Sequence, residues 1–182
     1  MMLNLHSTSR SRRLRSAGMT LAEMLVSMAV GGIVLAAVGR LSLFTARSFV
    51  AMGNYNDLDR ASTFCLDTMT REIRKTRALT SYSTNQLVFT DQDTNTLSYT
   101  YNPSTRELTR TKAGTTTVLL KQCDYLYFEI SQRNPSTNFT FYPVTSYSEA
   151  KLVDVSWRCS RQIFGAKVNT ESVQTAKIVI RN

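Results

Sequence analysis

Hydrophobic and polar positions follow three different rules in succession along the chain. From Met24 to Val38 no residue is charged, and from Met19 to Gly39 only Glu23 is. At about 1.5 Å per residue a helix over this run nearly covers a hydrocarbon core of roughly 30 Å, so residues 19–40 are predicted to form a transmembrane helix.

The second rule sets in at Leu41. Leu41, Phe44, Met52, Tyr55, Leu58, Ser62, Cys65, Met69 and Ile73 recur at spacings of three and four, with one wider gap, while Asp57, Asp59, Arg60, Asp67, Arg71, Glu72 and Arg74 fill the other faces. That spacing predicts an amphipathic helix continuing from the anchor to about Leu79, a stalk over 41–79 that no proline breaks. The cations Arg71, Arg74, Lys75 and Arg77 complement the helix dipole at its C-terminal end.

From residue 80 the pattern changes to short alternating stretches: QLVFT, LSYTY, ELTRT, TVLL, YLYFEI, FTFYP, KLVDVSW and AKIVIRN. Turn-forming groups at Asp91 to Thr96, Asn102 to Thr105 and Ala113 to Gly114 separate them. An antiparallel sheet over 80–182 is expected, packed on the apolar face of the long helix, which gives an α+β head.

Composition fits one modest domain plus an anchor: 182 residues, 42% hydrophobic, net charge +9. Arg10, Arg12, Arg13 and Arg15 precede the apolar run, and the positive-inside bias places that end in the cytoplasm and everything after Arg40 on the far side. Without the first 18 residues, 18 basic residues face 13 acidic ones and the balance falls to +5. Outside Arg71 to Arg77 no cluster of Lys and Arg interleaves with aromatics, which argues against nucleic acid as a partner.

Several chemistries lack their residues. The only histidine, His6, lies in the leader, so a chain starting at Met19 has no Ser-His-Asp or Cys-His catalysis and no histidine metal site. Asp91, Asp93 and Asn95 imitate the opening of a calcium loop, but Thr96 stands where an EF-hand needs Gly and Asn102 where it needs Glu, so a polar hairpin turn is the simpler reading and no metal is assigned. Glu72, Glu107, Glu129, Glu149 and Glu171 are too scattered to pair as general acid and base. Tyr125, Tyr127 and Phe128 alternate poorly for a stacking platform and are expected in the core and at its rim. Cys65, Cys123 and Cys159 form no CxxC pair; they leave open one disulfide with one spare thiol, or three small buried hydrophobes.

The informative feature is where the leader meets the anchor. A secretory signal carries its apolar stretch before the cleavage site, whereas here a basic, polar leader ends at Gly18 and the apolar segment follows. Glu23 sits in that segment either as a costly intramembrane carboxylate that needs a partner, or as an interfacial residue favouring the helix N-terminus. Gly31 and Gly32 interrupt the helix and allow close packing, a soft point, or simple tolerance of small residues in a membrane helix.

GMTLAEMLVSMAV, Gly18 to Val30, resembles the N-terminal motif of type IV pilins and pseudopilins. The resemblance implies that a prepilin peptidase removes residues 1–18 by cutting after Gly18 and methylates the new amine of Met19, a position where that family most often has Phe. It implies that Glu23 offers its carboxylate to the N-terminal amine of a neighbouring subunit. It implies no cofactor and a structural, non-enzymatic role in a type II secretion pseudopilus or a type IV pilus, with other pilin-like subunits, the prepilin peptidase and an inner-membrane assembly platform as partners. The expected location is the inner membrane, single-pass, with the head outside the cytoplasm or in a surface filament. The order of elements beyond the motif is similar to that of minor pilins and J-type minor pseudopilins. The alternative is a minor pilin whose head binds a ligand or DNA.

Overall fold

A computed structural model describes residues 18–134, 140–163 and 166–180. The leader with His6 and its four arginines, Phe139 of FTFYP, and Arg181 and Asn182 of AKIVIRN lie outside the described residues. One long helix, α1 (Leu21–Ile73), runs through two compact units, the first ending at Thr45 and the second beginning at Ala46.

In the first unit α1 is apolar on every side, with Met28, Ile33, Leu35 and Leu41 all exposed. The helix is long and apolar enough to cross a membrane, with a mean hydropathy of 2.1 over its most apolar window. Gly31 and Gly32 sit within it without a break.

In the second unit α1 is amphipathic in the way its sequence predicts, over part of the expected length. Leu58, Ser62, Cys65, Met69 and Ile73 are buried, whereas Met52 and Tyr55, and in the first unit Leu41 and Phe44, all from the same predicted stripe, are exposed. The helix also stops short of Leu79. Lys75 N–H reaches back to Glu72 O at 2.9 Å, a tightened last turn, and Thr76 Oγ1 caps Ile73 O at 2.7 Å. Residues Thr76–Ser83 then form a strand, β1, with Thr76 and Leu79 facing the core. The run of cations that suits a helix end here straddles the turn into β1.

Among the described residues nine strands follow α1, and they form two antiparallel sheets where the sequence suggested one. The first has the order β1-β2-β3-β4-β5, a meander of β1, β2 (Gln86–Asp91), β3 (Thr96–Asn102), β4 (Glu107–Lys112) and β5 (Thr115–Leu120). The second has the order β7-β6-β8-β9, from β6 (Cys123–Arg133), β7 (Phe141–Pro143), β8 (Leu152–Ile163) and β9 (Ala166–Val179), with a short 3-10 turn at Tyr147–Glu149 before β8. Each of the eight stretches picked out by alternation overlaps a strand; β1 is the addition. At the β4–β5 hairpin Lys112 pairs with Thr115 across two residues, Ala113 and Gly114, both at positive φ (48° and 81°). This two-residue loop matches the right-handed twist of the strands it joins.

Both sheets close on the buried face of α1. Trp157 of β8 meets Ser62, and Tyr99 and Arg110 of the meander meet Glu72. The sheets are stitched together where β6 leaves the meander: Phe128 N–H donates to Thr84 O at 2.8 Å, Tyr82 Oη donates to Phe128 O at 3.0 Å, and Arg106 pairs with Asp124. Phe128 is fully buried, while Tyr125 and Tyr127 stack on the outer face with centroids 6.1 Å apart and Arg158 lies over Tyr125 at 5.2 Å.

Candidate functional site

The sequence singles out the start of α1, and local hydrogen bonding there is well defined. Thr20 is the residue before the first helical position, and its side chain accepts the Glu23 N–H at 3.3 Å. Glu23 returns the bond: Oε2 accepts the Thr20 N–H at 2.8 Å and the Thr20 hydroxyl at 3.1 Å. A threonine and a glutamate three residues apart that satisfy each other's backbone donors make a capping box, and the carboxylate also sits at the positive end of the helix dipole.

The consequence is positional. The Glu23 carboxylate points back along the chain towards residue 20, whose N–H lies one peptide unit beyond the Gly18–Met19 bond. Gly18 precedes the helix in an exposed, non-helical stretch, and Met19 is 65% exposed. Met19, Ala22, Glu23, Val26 and Ser27 line one open groove at this end of the helix. Gly31 and Gly32 lie two to three turns further on, and a Cβ added at either would meet nothing within 4 Å, so no intrachain contact requires glycine there.

In the second unit several charged side chains are paired with one another. Glu72 accepts from Tyr99 Oη at 2.7 Å and from Arg110 Nε at 2.6 Å, a second Arg110 nitrogen bonds its other oxygen, and Lys112 Nζ lies 3.8 Å away. Burial works to raise the Glu72 pKa, but the hydrogen bonds from Arg110 and Tyr99 and the charges of Arg110 and Lys112 outweigh it and hold the carboxyl below its ordinary range. Burial, reinforced by the bond to Glu72, pushes the Tyr99 phenol far up. Asp91, the first residue of the calcium-like DQDTNT segment, bonds Lys112 Nζ at 3.1 Å and the Gln92 N–H at 2.8 Å; those two bonds depress its pKa. Arg106, Arg158, Arg161 and Lys177 likewise face Asp124, Asp124, Asp57 and Asp154. Sequence reasoning missed these pairs, because helix and sheet partners 38 residues apart, such as Glu72 and Arg110, leave no local signal.

Residues 13–39 match the family described as the prokaryotic N-terminal methylation motif. A comparison with curated proteins finds no match. With the long apolar helix that it opens, and the antiparallel sheets on which that helix packs, the motif supports a type IV pilin-like protein. The motif supports processing by prepilin peptidase, and the long apolar helix is consistent with a single-pass membrane anchor. The match ends at Gly39, so the head's own type is not part of it.

Proposed function

We propose that the chain is a minor subunit of a pseudopilus or pilus. Prepilin peptidase cleaves it between Gly18 and Met19 and methylates the Met19 amine, and the mature chain joins a filament through Glu23 and the apolar part of α1. The observation that carries this reading is Glu23 itself: the one carboxylate among residues 19–39 stands four residues from the proposed new amine, at the exposed end of a helix with an apolar surface on all sides. In a filament core the carboxylate of one subunit and the amine of the next compensate charges that are each costly alone in lipid.

Other pilin-like subunits, the prepilin peptidase and the inner-membrane assembly platform are the partners this reading requires. The basic leader favours a single-pass topology with the head outside the cytoplasm. A head that binds DNA gains little support, since Arg106, Arg110, Lys112, Arg158 and Arg161 already face carboxylates. The test is Glu23→Gln in the native host. The variant is expected to be cleaved normally and to drop out of the assembled filament fraction at least tenfold; incorporation equal to wild type would refute the role given to Glu23.

A further inference from the structure

The three cysteines, which the sequence left as buried hydrophobes or as one bridge with a spare, are not equivalent in space. Cys123 and Cys159 are direct cross-strand partners in the β6–β8 ladder, both buried, with their Sγ atoms 2.7 Å apart. Two features of the backbone bring them together. A register shift between Cys123 and Tyr125 breaks the alternation of β6, so that Cys123 faces inward like Leu126 and Phe128 despite the odd spacing. Its backbone groups are also engaged outside the ladder: the Cys123 N–H donates to Arg106 O at 3.0 Å, and its carbonyl accepts from Tyr101 Oη at 3.1 Å. The pair therefore occupies a non-hydrogen-bonded position, where antiparallel strands bring opposing side chains closest and where the separation suits a disulfide.

We infer that Cys123 and Cys159 are a disulfide site, joined in the mature protein, and that Cys65 remains a thiol. The inference rests on the proposed topology, because oxidation requires that the head face a disulfide-forming compartment. The co-reactant is a disulfide, small-molecule or protein-borne, in that compartment. The Cys123 and Cys159 S–H bonds break and one S–S bond forms between them; the oxidant's S–S bond breaks and takes up the two electrons and two protons as two thiols. Cys65 is set apart by its surroundings. It is fully buried against Met69, its Sγ lying 3.7 Å from the thioether, and burial pushes its thiol up to about 12. The Cys123 and Cys159 sulfurs face each other across the ladder, whereas Cys65 stands on α1 with its sulfur against Met69, so Cys65 is the thiol left over. The link would tie residues 36 apart in sequence, closing the segment that contains β7 and the 3-10 turn.

The test uses the full chain from its native membrane, with thiols blocked by N-ethylmaleimide in denaturant at the moment of lysis. Tryptic digestion is expected to yield the peptide QCDYLYFEISQR linked to CSR, together with ASTFCLDTMTR carrying one maleimide. Maleimide on all three cysteines, or a bridge that includes Cys65, overturns the inference. Protease added to the outer side of the intact membrane separates the two possible failures: three free thiols in a digestible head refute the pairing alone, while three free thiols in a protected head refute the topology and the pairing with it.

Discussion

The indole N–H of Trp157, on β8, donates to Ser62 Oγ, on α1, at 3.2 Å, and neither residue has exposed surface. Ser62 stands in the middle of an apolar stripe, between Leu58 and Cys65, where a hydrocarbon side chain would fill the space as well. What it supplies is the acceptor that lets the largest buried side chain be buried at all, since an unpaired indole N–H in the core is costly. Ser62→Ala is therefore expected to destabilise the head by about 1–3 kcal/mol and to lower its Tm by several degrees. Trp157 is the only tryptophan, so its fluorescence reports the transition directly. A Tm equal to wild type would show that the indole does not depend on Ser62.

The Glu72 cluster makes the head acid-sensitive. Glu72 and Asp91 have pKa values depressed by their partners in the folded state, so their contribution is present above the unfolded carboxylate range of about 4–4.5 and is lost as the pH falls through the lower folded values. Urea titrations from pH 7 to pH 2 should show stability constant near neutrality and falling below about pH 4.5. Glu72→Gln should flatten that limb and cost up to about 3 kcal/mol at pH 7, because it leaves Arg110 with a neutral partner in a site where both side chains are less than one-fifth exposed.

Ala113 and Gly114 share the left-handed conformation required by the β4–β5 hairpin, yet only one of them is glycine. Ala113→Asn places a residue that tolerates positive φ at the strained position and should stabilise the head by up to about 1 kcal/mol. Gly114→Val should destabilise it by at least as much. Paired thermal melts of the two variants give the sign of each effect.

If Gly31 and Gly32 are the soft point of α1, replacing both with Ala should stiffen the helix without a clash, since a Cβ at either position meets no neighbour. Each substitution is worth about 1 kcal/mol of helix propensity, so amide exchange around residues 29–34 in detergent micelles should slow at least fivefold. Unchanged exchange, with assembly nevertheless lost, would show that the glycines serve close packing between subunits.

Much of this was legible in the sequence because it is periodic. The uncharged run and the stripe from Leu58 to Ile73 lie on α1, each of the eight alternating stretches overlaps a strand, and GMTLAEMLV marks the methylation motif by residue type and order alone. What escaped is long-range or aperiodic. Thr76 and Leu79 continue the apolar spacing of α1 although they belong to β1, so the boundary is set by the Thr76 cap and not by pattern. The division into two sheets depends on β6 bonding back to Thr84 and Arg106. The Cys123–Cys159 pairing depends on a register shift that no alternation rule contains.

The central claim is that the chain is a prepilin-peptidase substrate whose mature form begins at Met19. The most direct test is the mass spectrum of the N-terminal peptide of protein isolated from its native membrane. A peptide that begins at Met19 and carries one added methyl group on its amine is the expected result. An intact leader, or a first residue inside the apolar helix, would contradict the claim.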